Sequence, residues 1–122
     1  ATEDDIPILR QVACEMVNPF DRFHADPFIK PEDADRMMSE WIYASIARGF
    51  ADFVLVPDVP EPKAFCTVKT HKKQWDAWGV NLAQSVVLGA VDIQYKGWYR
   101  KLISESNHCL AELGATSVFW KT

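Results

Sequence analysis

Ser85 to Leu113 reads SVVLGAVDIQYKGWYRKLISESNHCLAEL, and the order of patterns along it decides the class of the fold. Its first seven residues, Ser85 to Val91, are uncharged and mostly apolar with repeated Val, too short a run to cross a membrane, and they predict a buried strand. After a polar turn, Tyr99, Leu102, Ile103, Ser106, Cys109, Leu110 and Leu113 recur at three- and four-residue spacing, as one face of a helix requires. Gly97 is the only glycine between Gly89 and Gly114, and Gly114 predicts a left-handed cap at the helix end. Strand, tight turn and helix together turn backbone amides outward at a helix N-terminus, where proteins commonly hold phosphate.

Upstream of this unit the chain predicts two helices and a hairpin. Thr2 with Asp5 three residues on makes a capping-box-like entry, and Ile6, Leu9, Ala13 and Met16 form an apolar stripe behind it. Pro7 moves the expected start to Asp4 or Asp5. Asn18 to Lys30 contains Pro19 and Pro27 and predicts a loop, with Phe20, Phe23, Phe28 and Ile29 available to pin it to the core. Pro31-Glu32-Asp33 opens a second helix, which runs to Arg48 and ends at Gly49. Ala51 to Pro57 and Ala64 to Thr70 are β-rich runs joined by a proline-rich reversal, with one side of the second run expected to face water. His71 to Gly79 reads as an exposed turn before Val80 to Gln84 leads into the central strand.

The order is therefore helix, helix, hairpin, strand, helix, strand, an α/β domain with a mixed sheet in which Val86 to Asp92 crosses over through the helix to pair in parallel with Thr116 to Lys121. At 122 residues and 48% hydrophobic, residues 1–122 form a single domain with enough apolar surface for a core. A net charge of −4 disfavours nucleic acid as the main partner. Cys14, Cys66 and Cys109 lack metal-ligand spacing, as do His24, His71 and His108, so no metal is expected and the thiols read as buried in a reducing compartment. No apolar segment approaches ~18 residues, and the expectation is a cytoplasmic chain without a membrane partner.

Val91-Asp92-Ile93-Gln94-Tyr95-Lys96-Gly97-Trp98-Tyr99-Arg100-Lys101-Leu102-Ile103 resembles the acyl-coenzyme A segment of the GNAT superfamily of N-acetyltransferases, Gln/Arg-x-x-Gly-x-Gly/Ala between strand and helix. Gln94 and Gly97 fit the pattern, while Tyr99 stands where the family has Gly or Ala. A second register puts Lys96 in the Gln/Arg position. The entry Ala1 to Ile6 resembles the start of the family's first helix, and Glu112 to Trp120 its passage into the next strand.

That resemblance implies a GNAT-like sheet lacking the family's first strand and last two strands, hence a fragment or truncation. It implies acetyl-coenzyme A as co-substrate and a small-molecule amine as acceptor. Gly89, Ala90 and Val91 would meet the thioester and its arm, and the backbone of Gln94, Tyr95, Lys96, Gly97, Trp98 and Tyr99 would hold the pyrophosphate, with Arg100 and Lys101 as supporting charges. Asp21 to Trp41 is similar to a subgroup that acetylates amino sugars on dTDP, including dTDP-fucosamine acetyltransferases. In that case Arg22, Phe23, His24 and Trp78 would meet the substrate, with His24 or Asp26 as base. Two other classes stay open: a coenzyme A sensor or inactive module, and an interaction domain completed by a partner strand or as a homodimer.

Overall fold

Pro31 at the first turn, Glu32 and Asp33 beside the positive end of the helix dipole, and apolar residues on one face build the longest helix of the chain. In the computed structural model, which describes residues 1–15 and 21–120, this is α2, Pro31–Ala47, ended by Gly49 at φ 65. It packs along α1, Ile6–Glu15. A short 3-10 turn, Glu3–Asp5, precedes α1, and Asp5 reaches back to accept the Thr2 amide at 2.7 Å. The predicted capping box therefore forms at this turn, and the Thr2 hydroxyl also donates to Asp5 Oδ2 at 3.3 Å. Met16 and the loop residues Asn18 to Phe20 lie outside the described residues.

The hairpin forms as predicted, β1 (Phe53–Leu55) antiparallel to β2 (Ala64–Val68) with Val54 opposite Thr67. The expected solvated side of β2 does not exist, since all five of its residues are buried. Helices cover both of its faces. Leu9, Val12, Met38 and Ile42 pack with Val54, Phe65, Leu88 and Ala90 on one side. Leu102 and Leu110 pack with Ala64, Cys66, Val68 and Ala83 on the other. Those two leucines belong to α4, Trp98–Glu112, so the layers run helix pair, sheet, helix.

The largest departure from expectation lies in the central strand. Of the strand expected over Ser85 to Val91 only β4 (Gly89–Val91) forms; Ser85 to Leu88 is a bend that separates it from β3 (Leu82–Gln84). β3 pairs in parallel with β5 (Ser117–Phe119), Ala83 opposite Val118, while β4 pairs antiparallel with β2, Phe65 opposite Ala90. The parallel partner of β5 is thus β3 and not Val86 to Asp92. A single antiparallel bridge, Lys69 to Gln84, ties the three-stranded and two-stranded sheets together.

The bend has a definite cause. Val86 sits at φ 55, a left-handed conformation that costs a β-branched residue roughly 1–2 kcal/mol, so its neighbours must hold it there. Thr67 does most of the holding. Its amide and carbonyl bond Leu88 O (2.8 Å) and Val87 N (2.9 Å), and its hydroxyl both accepts from Leu88 N (2.7 Å) and donates to Leu88 O (3.0 Å). On the other side of Val86, Ser85 N donates to Phe119 O at 3.2 Å, and Ser85 Oγ meets Ser106 Oγ of α4 at 2.6 Å in a fully buried pair.

Because the Leu88 amide has no water to turn to, Thr67→Val should cost about 1–3 kcal/mol and Thr67→Ser clearly less, the shape loss being one methyl. Urea denaturation of the two variants beside wild type measures the difference.

Candidate functional site

The β4–α4 passage carries most of the residues singled out for coenzyme contact. Asp92 N donates to Lys63 O beyond the Ala90–Phe65 pair, so bonding to β2 falls on alternate residues. The alternation turns the main-chain groups of Gly89 and Val91 away from β2 and those of Ala90 toward it. Of the three, Gly89 and Val91 can therefore offer amides or carbonyls to a bound chain.

The expected tight turn at Gly97 is replaced by a continuous right-handed path. Asp92 caps a 3-10 turn, Ile93–Tyr95, and Lys96 and Gly97 follow in helical conformation, Gly97 at φ −70, before α4 begins. Nothing about that backbone demands glycine, and a Cβ at Gly97 would meet open space. Two of the amides expected to hold phosphate are already used by Asp92: Gln94 N donates to its Oδ1 and Tyr95 N to its carbonyl, both at 2.8 Å. No side chain caps the first turn of α4. Lys96, Arg100 and Lys101 are exposed beside it, and Lys101 Nζ lies 4.5 Å from the Trp98 ring centre, with Trp98 itself packed on the α4 side of the core.

Tyr99 is the residue of this run whose side chain matters. A Cβ built on Gly89 would lie 3.0 Å from Val86 Cγ1, 3.4 Å from Phe65 O and 3.7 Å from Tyr99 Cε2. The phenol ring therefore rests against β4 where a side chain is missing, while Tyr99 as a whole stays 41% exposed. Burial raises the Tyr99 phenol above its usual value, and the nearby Cys66 adds to the shift. Cys66 stands opposite Gly89 in the sheet, its thiol raised by burial within the Ser85–Ser106 cluster.

The residues expected to meet a substrate do not converge. Phe23 packs edge-on to Trp41 of α2 at 6.3 Å between ring centres, and Arg22 covers its other face with Cζ at 4.6 Å. Phe23 thus pins the loop. Phe28, expected to do the same, is 95% exposed. Asp26 caps a turn by accepting the Phe28 amide at 2.9 Å. Trp78 belongs to a separate helical turn, α3 (Trp75–Trp78), and is 48% exposed. Among the described residues, no hydrogen bond, ion pair or ring contact links it to Arg22, Phe23 or His24.

His24 is held rather than free. Its Nδ1 lies 2.6 Å from Asp21 Oδ2 and its Nε2 3.0 Å from Asp35 Oδ1, with the side chain 9% exposed. Hydrogen bonding to Asp35, then to Asp21, raises its pKa against the opposing effect of burial. Burial would raise Asp21, but the His24 and Phe23 amides and the imidazole outweigh it and hold this carboxyl below its usual range. An imidazolium donating through both nitrogens has no lone pair for an incoming proton, so His24 fastens the loop to α2 and does not serve as a base in this arrangement.

His71, read from sequence as part of an exposed turn, is the histidine with a nitrogen to spare. It adopts φ 54, stacks on Phe119 of β5 at 6.3 Å and 19°, and leans on Trp78 at 5.8 Å. Its Nε2 is buried without a hydrogen-bond partner among the described residues. The neighbouring Trp75 is buried as well, its indole N–H shared between Thr70 O and Leu82 O, so the segment is scaffold with one exposed ring. His108 is solvated as expected, 3.5 Å from Glu112. No group of metal-ligating side chains occurs among the described residues, and no helix there is long and apolar enough to cross a membrane.

A raised folded pKa for His24 means stability that is fully present below about 6.5 and lost as pH climbs past the folded value, whereas the depressed Asp21 contributes above about 3.8 and fails as pH falls. Thermal melts should therefore show His24→Asn well below wild type at pH 6, with the gap narrowing by pH 9. Family models, curated proteins and solved structures compared with this chain give no match, so a functional reading rests on the geometry above.

Proposed function

We propose that this chain is an N-acetyltransferase domain of the GNAT type, moving an acetyl group from acetyl-coenzyme A to a primary amine of a small molecule. The observation that carries the reading is the divided central strand, with β3 beside β5, β4 beside β2, and the bend at Val86 between them. An extended thioester arm needs main-chain partners along its length, and the outward groups of Gly89 and Val91 supply that kind of edge. The uncapped first turn of α4, with Lys96, Arg100 and Lys101 beside it, suits the phosphates.

Catalysis in such a site is mainly placement. A main-chain N–H at the open side of β4 polarises the thioester carbonyl without titrating. The amine nitrogen adds to that carbon, the carbon–sulfur bond breaks, and the thiolate leaves with the coenzyme. The proton lost by the amine goes to water or to a base. A nucleotide-linked amino sugar is the finer form of the proposal, with the half-exposed Trp78 as a surface for its base.

A second reading, a module of the same architecture with a closed coenzyme site, is favoured by two specific features. The Asp92 carboxylate occupies an amide meant for phosphate, and the Tyr99 ring lies against Gly89. As an interaction domain the chain would instead engage a partner through β5, whose second edge has no strand partner among the described residues.

Millimolar coenzyme A should raise the melting temperature, and acetyl-coenzyme A with a panel of amines, nucleotide-linked amino sugars included, should release free thiol in an amine-dependent way. Stabilisation without thiol release would select the binding module, and no stabilisation would remove both coenzyme readings.

A further inference from the structure

Building on the coenzyme reading above, we infer that the Tyr99 ring is a movable stopper on β4 that sets how well the pantetheine arm of coenzyme A is accepted, while leaving the nucleotide half unaffected. Gly89 points its missing side chain to the α4 side of the sheet, the side of its cross-strand partner Cys66. The space so left is taken by Val86 Cγ1 and Tyr99 Cε2. Val86 is fixed by the bend. Tyr99 is not fixed in the same way, because its phenol takes part in none of the hydrogen bonds among the described residues and nearly half of the residue faces solvent. The ring can leave by a change of rotamer from the first turn of α4, uncovering Gly89.

The two halves of the ligand meet different chemistry here. The pantetheine arm is a chain with two amides, and its partners would be the outward main-chain groups of Gly89 and Val91, next to the ring. The nucleotide half is a set of phosphates and a flat base, and its partners would be the helix start and the exposed cations, none of which stacks on the Tyr99 ring among the described residues.

Calorimetric titration of wild type, Tyr99→Ala and Tyr99→Phe with coenzyme A, pantetheine and adenosine 3′,5′-bisphosphate tests this. Tyr99→Ala should bind coenzyme A and pantetheine about tenfold or more tighter than wild type, with the bisphosphate unchanged, and Tyr99→Phe should behave as wild type. Equal coenzyme A binding by wild type and Tyr99→Ala overturns the stopper and leaves the coenzyme reading standing. An equal gain for the bisphosphate overturns the assignment to the arm. Absence of binding by all three proteins, each shown folded by circular dichroism, overturns stopper and coenzyme reading together.

Discussion

Everything distinctive about this fold depends on Thr67 holding the main chain at Val87 and Leu88. One residue supplies amide, carbonyl and hydroxyl to the same two neighbours, and the bonds of the hydroxyl are buried. A buried hydrogen bond contributes only about 1 kcal/mol net, but leaving its partner unsatisfied costs more, so the bend is kept chiefly by what would be lost on straightening. That asymmetry lets a Val occupy φ 55. Without it, the segment from Val80 to Val91 would form one strand between β2 and β5, and no division of the sheet would follow.

The division creates a problem of its own. Two small sheets joined by a single bridge would slide unless something crosses the gap, and α4 does so with a polar contact. Ser106 meets Ser85 at the bend, in the same buried layer as Leu102 and Leu110. A serine pair has one satisfactory geometry where a leucine pair has several, so it fixes the height of α4 over the bend as well as contributing stability. The first turn of α4 then lies where Tyr99 reaches Gly89. Glycine at that strand position follows from the crowding, since a methyl would stand 3.0 Å from Val86 Cγ1.

What the sequence conveyed well were the elements whose signals are local. α2 is marked by Pro31, two acids and Gly49, and its apolar spacing persists for several turns, so its range was legible to within a residue at its end. The hairpin and the Gly114 cap were legible for the same reason. The bend was not, because SVVLGAV has the same apolar pattern straight or broken, and a positive φ at valine comes from Thr67, nineteen positions earlier in the chain. Glycine gave the opposite error: Gly97 suggested a turn, yet its backbone is ordinary helix. For His24, composition offered a loop imidazole, and only the fold reveals Asp35 on its second nitrogen. His71 carried no signal, as the ring it stacks on stands forty-eight positions later.

The two ends of the β4–α4 passage pull the chemistry in opposite directions. At one end, the bend and the outward groups of Gly89 and Val91 make an edge suited to an extended ligand. At the other, Asp92 spends its carboxylate on the Gln94 amide, so a phosphate arriving there must displace an internal cap and face a negative charge. Such a competitor weakens anion binding most at low salt and when no cation screens it, and the exposed cations Lys96, Arg100 and Lys101 lie on the helix side of the passage. Phosphate contact would then shift along the chain, away from Gln94 and toward the first turn of α4. On the proposed coenzyme reading, the single glycine of the segment is no obstacle: a cradle formed by a helix start needs no positive φ, whereas one formed by a turn would.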